Sequence, residues 1–385
     1  MLIQNKQIAI VGGGPGGLTL AWLLQLKGAI VKVYERDVNK DARVQGSPLD
    51  MHEGSGAAAL RAANLVEEFN KNVRTGADKK LIVNEHAEII FSDHEPKPGV
   101  DSGNEYRPEI DRGALRKIFL ESLQQGTVVW DSHFVSMEMQ NEGWLLHFKN
   151  GSTAYADLVV AADGANSRIR PYLTNIKAFY SGVTMMEINV YDAKKASPHI
   201  YAMLNGGKIM AFGNGKCILG GQKGNGDLGF YASFKPAENW STNSRLDFSD
   251  KTQMLTWFKK EYSGWSSVWY ELLENAVMPV IPRPIYCMPL DQTWEALPNL
   301  TLLGDAAHVM PPFAGEGANT SMFDALELSE RLTSGKYKTL KEAIFDYEIN
   351  MRERAAKAAK RSLENGERMH SDGALEKMLG VFGIK

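Results

Sequence analysis

Residues 8–37, IAIVGGGPGGLTLAWLLQLKGAIVKVYERD, decide the fold. The run Ile8–Val11 is apolar throughout, as a parallel strand covered on both faces must be. A glycine-rich turn follows. Leu18, Ala21, Trp22 and Leu24 then recur at helical spacing, and Gly28 ends that helix. IVKVYE (30–35) alternates as a second strand. Strand, turn, helix and strand within about 30 residues make one βαβ unit. Gly12, Gly14 and Gly17 complete G-x-G-x-x-G inside it. The first glycine permits the tight turn, the second lets backbone approach a pyrophosphate, and the third lets helix pack closely on strand. The phosphates of a dinucleotide would lie at the helix N-terminus, where unpaired N–H groups and the dipole favour anions. Glu35, at the end of the second strand, is placed to accept from a ribose hydroxyl, and disfavours a 2′-phosphate there. Arg36 reads as a solvated charge or as a cover for the adenine or a phosphate. This unit alone does not separate NAD from FAD.

Working outward, the 385 residues predict two closely packed domains. A hydrophobic content of 44%, a charged content of 23% and a net charge of −3 describe an ordinary globular chain. They give no sign of nucleic acid or an anionic membrane as partner. Cys217 and Cys287 read as buried thiols of a reducing compartment, and no Cys or His spacing suggests a metal site. The first apolar run begins too early for a secretory signal, with a mature chain whose signal has been removed as the alternative, and no run of about 18 apolar residues spans a membrane. The expectation is cytoplasmic, and monomeric.

DRGALRKIFLESLQ (111–124) predicts an amphipathic helix buried through Leu115, Ile118, Phe119 and Leu123, with Asp111 as N-cap. TVVW (127–130) and ADLVVAADGANS (156–167) read as strands, and the glycine-broken runs of 176–235 as antiparallel sheet. Helix is expected over 252–276, strand and turn over NLTLLGDAAH (299–308), and a long terminal helix over 339–370. PKPGVDSG (96–103) marks an exposed loop. No second strand–GxGxxG–helix unit exists for a nicotinamide nucleotide.

Two distant motifs choose the cofactor. DGANSRIR (163–170) matches D-G-x-x-S-x-x-R through Asp163, Gly164, Ser167 and Arg170; GDAAHVMPPFAGEGAN (304–319) carries Gly-Asp, a proline–glycine turn and a helix start. With the first glycine turn, in this order, they resemble the class A FAD-dependent aromatic hydroxylases over nearly the whole chain. The resemblance implies an α/β fold: a Rossmann-like FAD-binding domain of the GR2, p-hydroxybenzoate hydroxylase type, a β-rich substrate domain and a C-terminal helix. It divides the chain into an FAD-binding domain (1–75, 104–175 and 282–330), a substrate-binding domain (76–103 and 176–281) and a C-terminal helical segment (331–385). It implies that Gly12, Gly14 and Gly17 bind the FAD pyrophosphate, Glu35 the adenosine ribose and Asp305 the ribitol. Arg112 would contact the flavin, and the backbone of Pro312, Gly315, Gly317, Ala318 and Asn319 would face its ring. Asp163 and Arg170 read equally as a structural turn clamp, and His308 as a buried structural residue.

VYERD, LDMHEGSG, VVWD and GDAAHVMPPFAGEGAN are similar to the tetracycline-inactivating monooxygenases. That resemblance puts the family's substrate-contacting glutamine, arginine and histidine at Glu187, Lys208 and Gly229, a changed lining, whereas Pro312 and Met369 match. For Glu187 and Lys208 a cross-strand pair is the alternative, and for Met369 core packing. The implied reaction uses NAD(P)H and O2 to hydroxylate tetracycline or a related polycyclic or phenolic compound through a flavin C4a-hydroperoxide, with no indispensable protein nucleophile or acid. A different phenolic or polyketide substrate, a non-oxygenating FAD reductase and a binding module without turnover remain alternatives.

Overall fold

The computed structural model describes residues 1–42, 48–94 and 107–384. The loop expected at 96–103 therefore lies outside the described residues. Strand β1 (Gln7–Val11), helix α1 (Pro15–Leu26) and strand β2 (Ile30–Tyr34) form the predicted βαβ unit, with β1 and β2 parallel and Val11 opposite Tyr34. Around it grows a five-stranded sheet. Its order is Leu300–Leu302, Leu158–Ala161, β1, β2 and Val128–Val129, and every pairing is parallel. Leu158–Ala161 and Leu300–Leu302 are buried at every position, as strands covered on both faces must be. On one face α1 packs against the helix Gly317–Thr333. On the other lies an antiparallel sheet of Phe134–Gln140, Gly143–Phe148 and Thr153–Ala156, anchored by Tyr34 stacked on Phe148 at 4.8 Å.

A second sheet has seven strands, ordered Ile281–Cys287, Phe179–Val190, Leu228–Phe234, Lys216–Gln222, Lys208–Gly213, Lys80–Asn84 and Ile89–Ser92. One face buries Met186, Ile188, Ile209, Ile218 and Phe230 against helices that include Lys251–Glu261 and Tyr270–Glu274. Alternation turns Met185, Met210, Leu219 and Tyr231 the other way, over a cavity. The helix expected over 252–276 is broken: Tyr262 to Ser266 turn the chain, with Gly264 at φ +86°, before a short 3-10 turn and a second helix.

The long helix Leu340–Met369 opens on a reciprocal cap between Thr339 and Glu342. Its 30 residues reach roughly 45 Å. At one end Tyr347 donates to the Leu302 carbonyl at 3.0 Å, at the other Met369 is buried under the seven-stranded sheet. A further helix, Ala374–Val381, was not expected separately; Met378 buries it beside Met369. Among the described residues no helix is long and apolar enough to cross a membrane. Cys217 and Cys287 are both buried and free.

Candidate functional site

Four parallel strands end at one edge of the first sheet, and the residues just after their ends are those the motifs single out. Gly12 follows Val11, Glu35 follows Tyr34, Asp163 comes two after Ala161 and Asp305 three after Leu302. Ligands of open α/β sheets bind outside the carboxyl ends of strands. There a cavity of about 2600 Å³ lies between this edge and the seven-stranded sheet, lined by all four residues.

The three motif glycines divide the work. Gly12 sits at φ +112°, and a Cβ there would overlap the Ala162 carbonyl. A Cβ on Gly17 would overlap the Gly12 carbonyl. Both are demands of packing. At Gly14, the N-cap of α1, no protein atom lies within 4 Å of a Cβ position, and the residue lines the cavity. The open space sits where a pyrophosphate would meet the helix N-terminus. Glu35 is only 2% exposed. Its carboxylate accepts from the Gly13 N–H at 2.6 Å and the Asp37 N–H at 3.0 Å, so it pins the glycine turn as well as facing the cavity. Arg36 is exposed on the cavity wall.

The second motif is a staple. Ser167 accepts from the Ile169 and Arg170 N–H groups, and Asp163 Oδ2 from the Arg168 N–H at 2.9 Å. Asp163 Oδ1 is buried without a partner, and burial raises the carboxyl pKa above its ordinary range. Arg170 donates to the Ala306 and Ala307 carbonyls at 3.1 and 2.8 Å and to Gln292 at 2.6 Å, and lies over the Trp294 ring. It thus clamps the 163–170 turn to the 304–308 turn. Burial lowers its pKa to about 10.

In the third motif Asp324 accepts from the Gly304 N–H at 2.9 Å, from His308 Nε2 at 2.6 Å and from Arg354 at 2.7 Å. His308 is 2% exposed and structural. Asp305 emerges from this turn into the cavity opposite Arg112, the first residue of the helix Arg112–Ser122. Burial raises the Asp305 pKa, against the pull of His308 and Arg112; burial lowers that of Arg112, against Tyr231, Asp305 and Glu187. Asp111 stands at the N-cap position but its side chain does not cap; it takes Arg74 at 3.4 Å and the Gly224 N–H at 3.2 Å.

Pro312, Gly315, Gly317 and Ala318 line the cavity, Gly315 at φ +68°. The helix Gly317–Thr333 presents an N-terminus with no side-chain cap, because the preceding Glu316 pairs with Arg361 at 2.6 Å and His52 at 3.7 Å. Asn319 is buried and turned away: it accepts from the His52 N–H at 2.9 Å and donates to the Asp50 carbonyl at 2.8 Å. His52 also meets Asp50 at 3.1 Å and Arg107 at 3.2 Å. Burial opposes its charge, yet hydrogen bonds to Asp50 and Glu316 raise its pKa to about 9.

On the substrate side, Lys208, Pro312 and Met369 line the cavity, whereas Glu187 and Gly229 do not. Glu187 turns to Arg283, with Asn189 donating at 3.4 Å; Gly229 is buried between Asn189 and Gly221. Both nevertheless lie on the cavity face of the sheet: Glu187 shares the face of Met185 and stands opposite Tyr231, Gly229 shares the face of Tyr231, and Arg283, the partner of Glu187, lines the cavity. Lys208 pairs with the buried Glu109, not with Glu187. Tyr231, Arg283 and Lys80 face the cavity without having been expected to. Their signal was strand period two, which sets Tyr231 on the face of Gly229.

The residues fit an FAD dinucleotide on three counts: the open wall at Gly14, the orphaned Asp163 oxygen and the uncapped helix start at Gly317. Fold and cleft define a dinucleotide-binding protein whose cavity lies beneath a second sheet.

Residues 10–39 match the NAD(P)-binding Rossmann-like domain and residues 297–362 the FAD binding domain. The monooxygenase penA of Penicillium thymicola is 26% identical, over 98% of each chain. The 6-hydroxynicotinate 3-monooxygenase of Pseudomonas fluorescens is 27% identical, over 94% of this chain and 91% of that one. The crystal structure of tetracycline destructase Tet(55) superposes with a TM-score of 0.76 at 18% identity, over 99% of this chain and 96% of the other. Over nearly its whole length the chain is thus similar to monooxygenases, and it carries matches to an FAD binding domain and an NAD(P)-binding Rossmann-like domain. The FAD binding domain match names FAD as the cofactor.

Proposed function

We propose that the protein hydroxylates an electron-rich phenol or enol of polycyclic size, a tetracycline being one member of that class. The observation that carries this reading is the apolar roof of Met185, Met210, Leu219 and Ile285 facing the turn at Pro312. Two such surfaces would suit a flat ring system held between them. When bound, FAD supplies electron transfer from NAD(P)H and the activation of O2. Gly12, Gly14, Gly17, Glu35 and Arg36 would hold its adenylate half; Arg112, Asp305, Pro312, Gly315, Gly317 and Ala318 its flavin half. Asn319 would act indirectly, by fixing Asp50 and His52 against the start of its helix. The free N–H end of Gly317–Thr333 favours negative charge placed against it, and Arg112 adds to that field. The roof orients substrate and excludes water.

The altered positions speak for a lining of its own. A lysine at 208 offers a point charge rather than a planar fork, and its charge is already matched by Glu109. The test is a screen of NADPH oxidation, oxygen uptake and product mass across phenols, enols and tetracyclines. Gain of one oxygen by a ring compound supports the reading. NADPH consumption without oxygen insertion into any of them favours the reductase alternative.

A further inference from the structure

Lys80 opens the strand Lys80–Asn84 and lies directly opposite Lys208 in the neighbouring strand. Both line the cavity. Two like charges face each other across the ladder, an arrangement that destabilises a sheet unless each finds an anion. Lys208 has its anion in Glu109. Arg107, nearby, has Asp50 at 3.8 Å. Among the described residues no carboxylate pairs with the Lys80 ammonium. It lies over the Phe382 ring, 5.3 Å from the centroid, in the half-buried roof. The surrounding charges cancel: Lys208 and Arg107 are set against Asp93 and Asp50. Among the described residues the Lys80 ammonium is thus left without a paired carboxylate, on the wall of the cavity.

We propose that Lys80 is an anion-holding specificity residue of the cavity roof, taking an oxyanion, carboxylate or phosphate, carried by the molecule that enters there. The proposal rests on reading this cavity as the substrate chamber. Burial and the neighbouring cations hold the Lys80 pKa below its ordinary value, so an arriving anion relieves a strained charge. Phe382 offers the organic part of the ligand an aromatic wall beside the ammonium. Two sources can bring such an oxyanion: a carboxylated aromatic substrate, or the 2′-phosphate of NADPH.

The test uses the full-length protein and a matched pair of probes, 6-hydroxy-2-naphthoate and its neutral amide, followed by their own fluorescence. Binding is thereby read whether or not flavin turns over, and failure of the monooxygenase reading shows separately as absent NADPH oxidation. The wild type should prefer the carboxylate. Lys80→Met should weaken the carboxylate roughly tenfold or more, the scale of a charge-assisted hydrogen bond, and leave the amide unchanged. Lys80→Arg should keep most of the preference, which separates lost charge from lost folding. The second arm compares KM for NADPH and NADH in the same variants. A rise for NADPH alone, with naphthoate binding unchanged, assigns the oxyanion to the nucleotide. Unchanged binding of both probes together with unchanged KM for both nucleotides in Lys80→Met overturns the proposal.

Discussion

At the scale of single residues, the site is a set of polar groups whose partners fix what each is free to do. Asp305 has a raised pKa and faces Arg112 across the cleft. Asp305→Ala should leave the fold intact and weaken FAD retention; a purified variant with wild-type flavin content removes Asp305 from the site. Gly14→Val should do the same by filling the only open position among the three motif glycines. His52 makes a different prediction. Its folded pKa of about 9 exceeds the ordinary 6.5, through Asp50 and Glu316 and against Arg107. The protonated form is therefore favoured in the folded state. That stabilisation is complete below pH 6.5 and is lost as pH rises through about 9. Its upper bound is roughly 3 kcal/mol. Melting curves of wild type and His52→Gln should differ most at the acid end of this window and converge at its alkaline end; a constant gap contradicts the assignment.

At the scale of elements, what was legible followed from local pattern. The unit 8–37 announced itself, because a buried strand, a glycine turn and an apolar helix leave separate periods in adjacent residues. The helices from 112 and from 340 were equally plain. The break at Tyr262–Ser266 was not, since the aromatic residues on either side carry helical spacing straight across it. There, tertiary burial of Tyr262, Trp265 and Trp269 overrides the local pattern. The second motif showed its residues but left the role of Arg170 open. Its partners, the carbonyls of Ala306 and Ala307, lie far along the chain. Arg170→Met strands these buried acceptors, and should cost roughly 2–4 kcal/mol by denaturant unfolding. Flavin should loosen with it, as the Asp305 turn loses its clamp. Retention of both stability and flavin contradicts that role.

At the scale of the molecule, the long helix Leu340–Met369 makes one body of two sheets. Ala358 and Ala359 let it pass close to Met310 and Cys287, and Ser362 and Asn365 hold the carbonyls of Pro311 and Phe313. Ala359→Leu overpacks this crossing. It should lower stability by about 1–3 kcal/mol, and thermal melts with and without added FAD should show the cofactor stabilising this variant less than the wild type. The pocket lining was the least legible part. Strand alternation puts Glu187 and Gly229 on the cavity side of the sheet, but which side chains reach the cavity depends on ion pairs such as Glu187–Arg283 that no local pattern carries. The fold places three segments, around Gly14, Asp163 and Asp305, on one cavity, where together they would grip one FAD. Reconstitution measures this directly: the apoprotein is incubated with excess FAD, freed of unbound dye, and its absorbance and flavin content recorded. A yellow protein carrying one FAD per chain is expected; folded, colourless protein that retains none contradicts a shared FAD site.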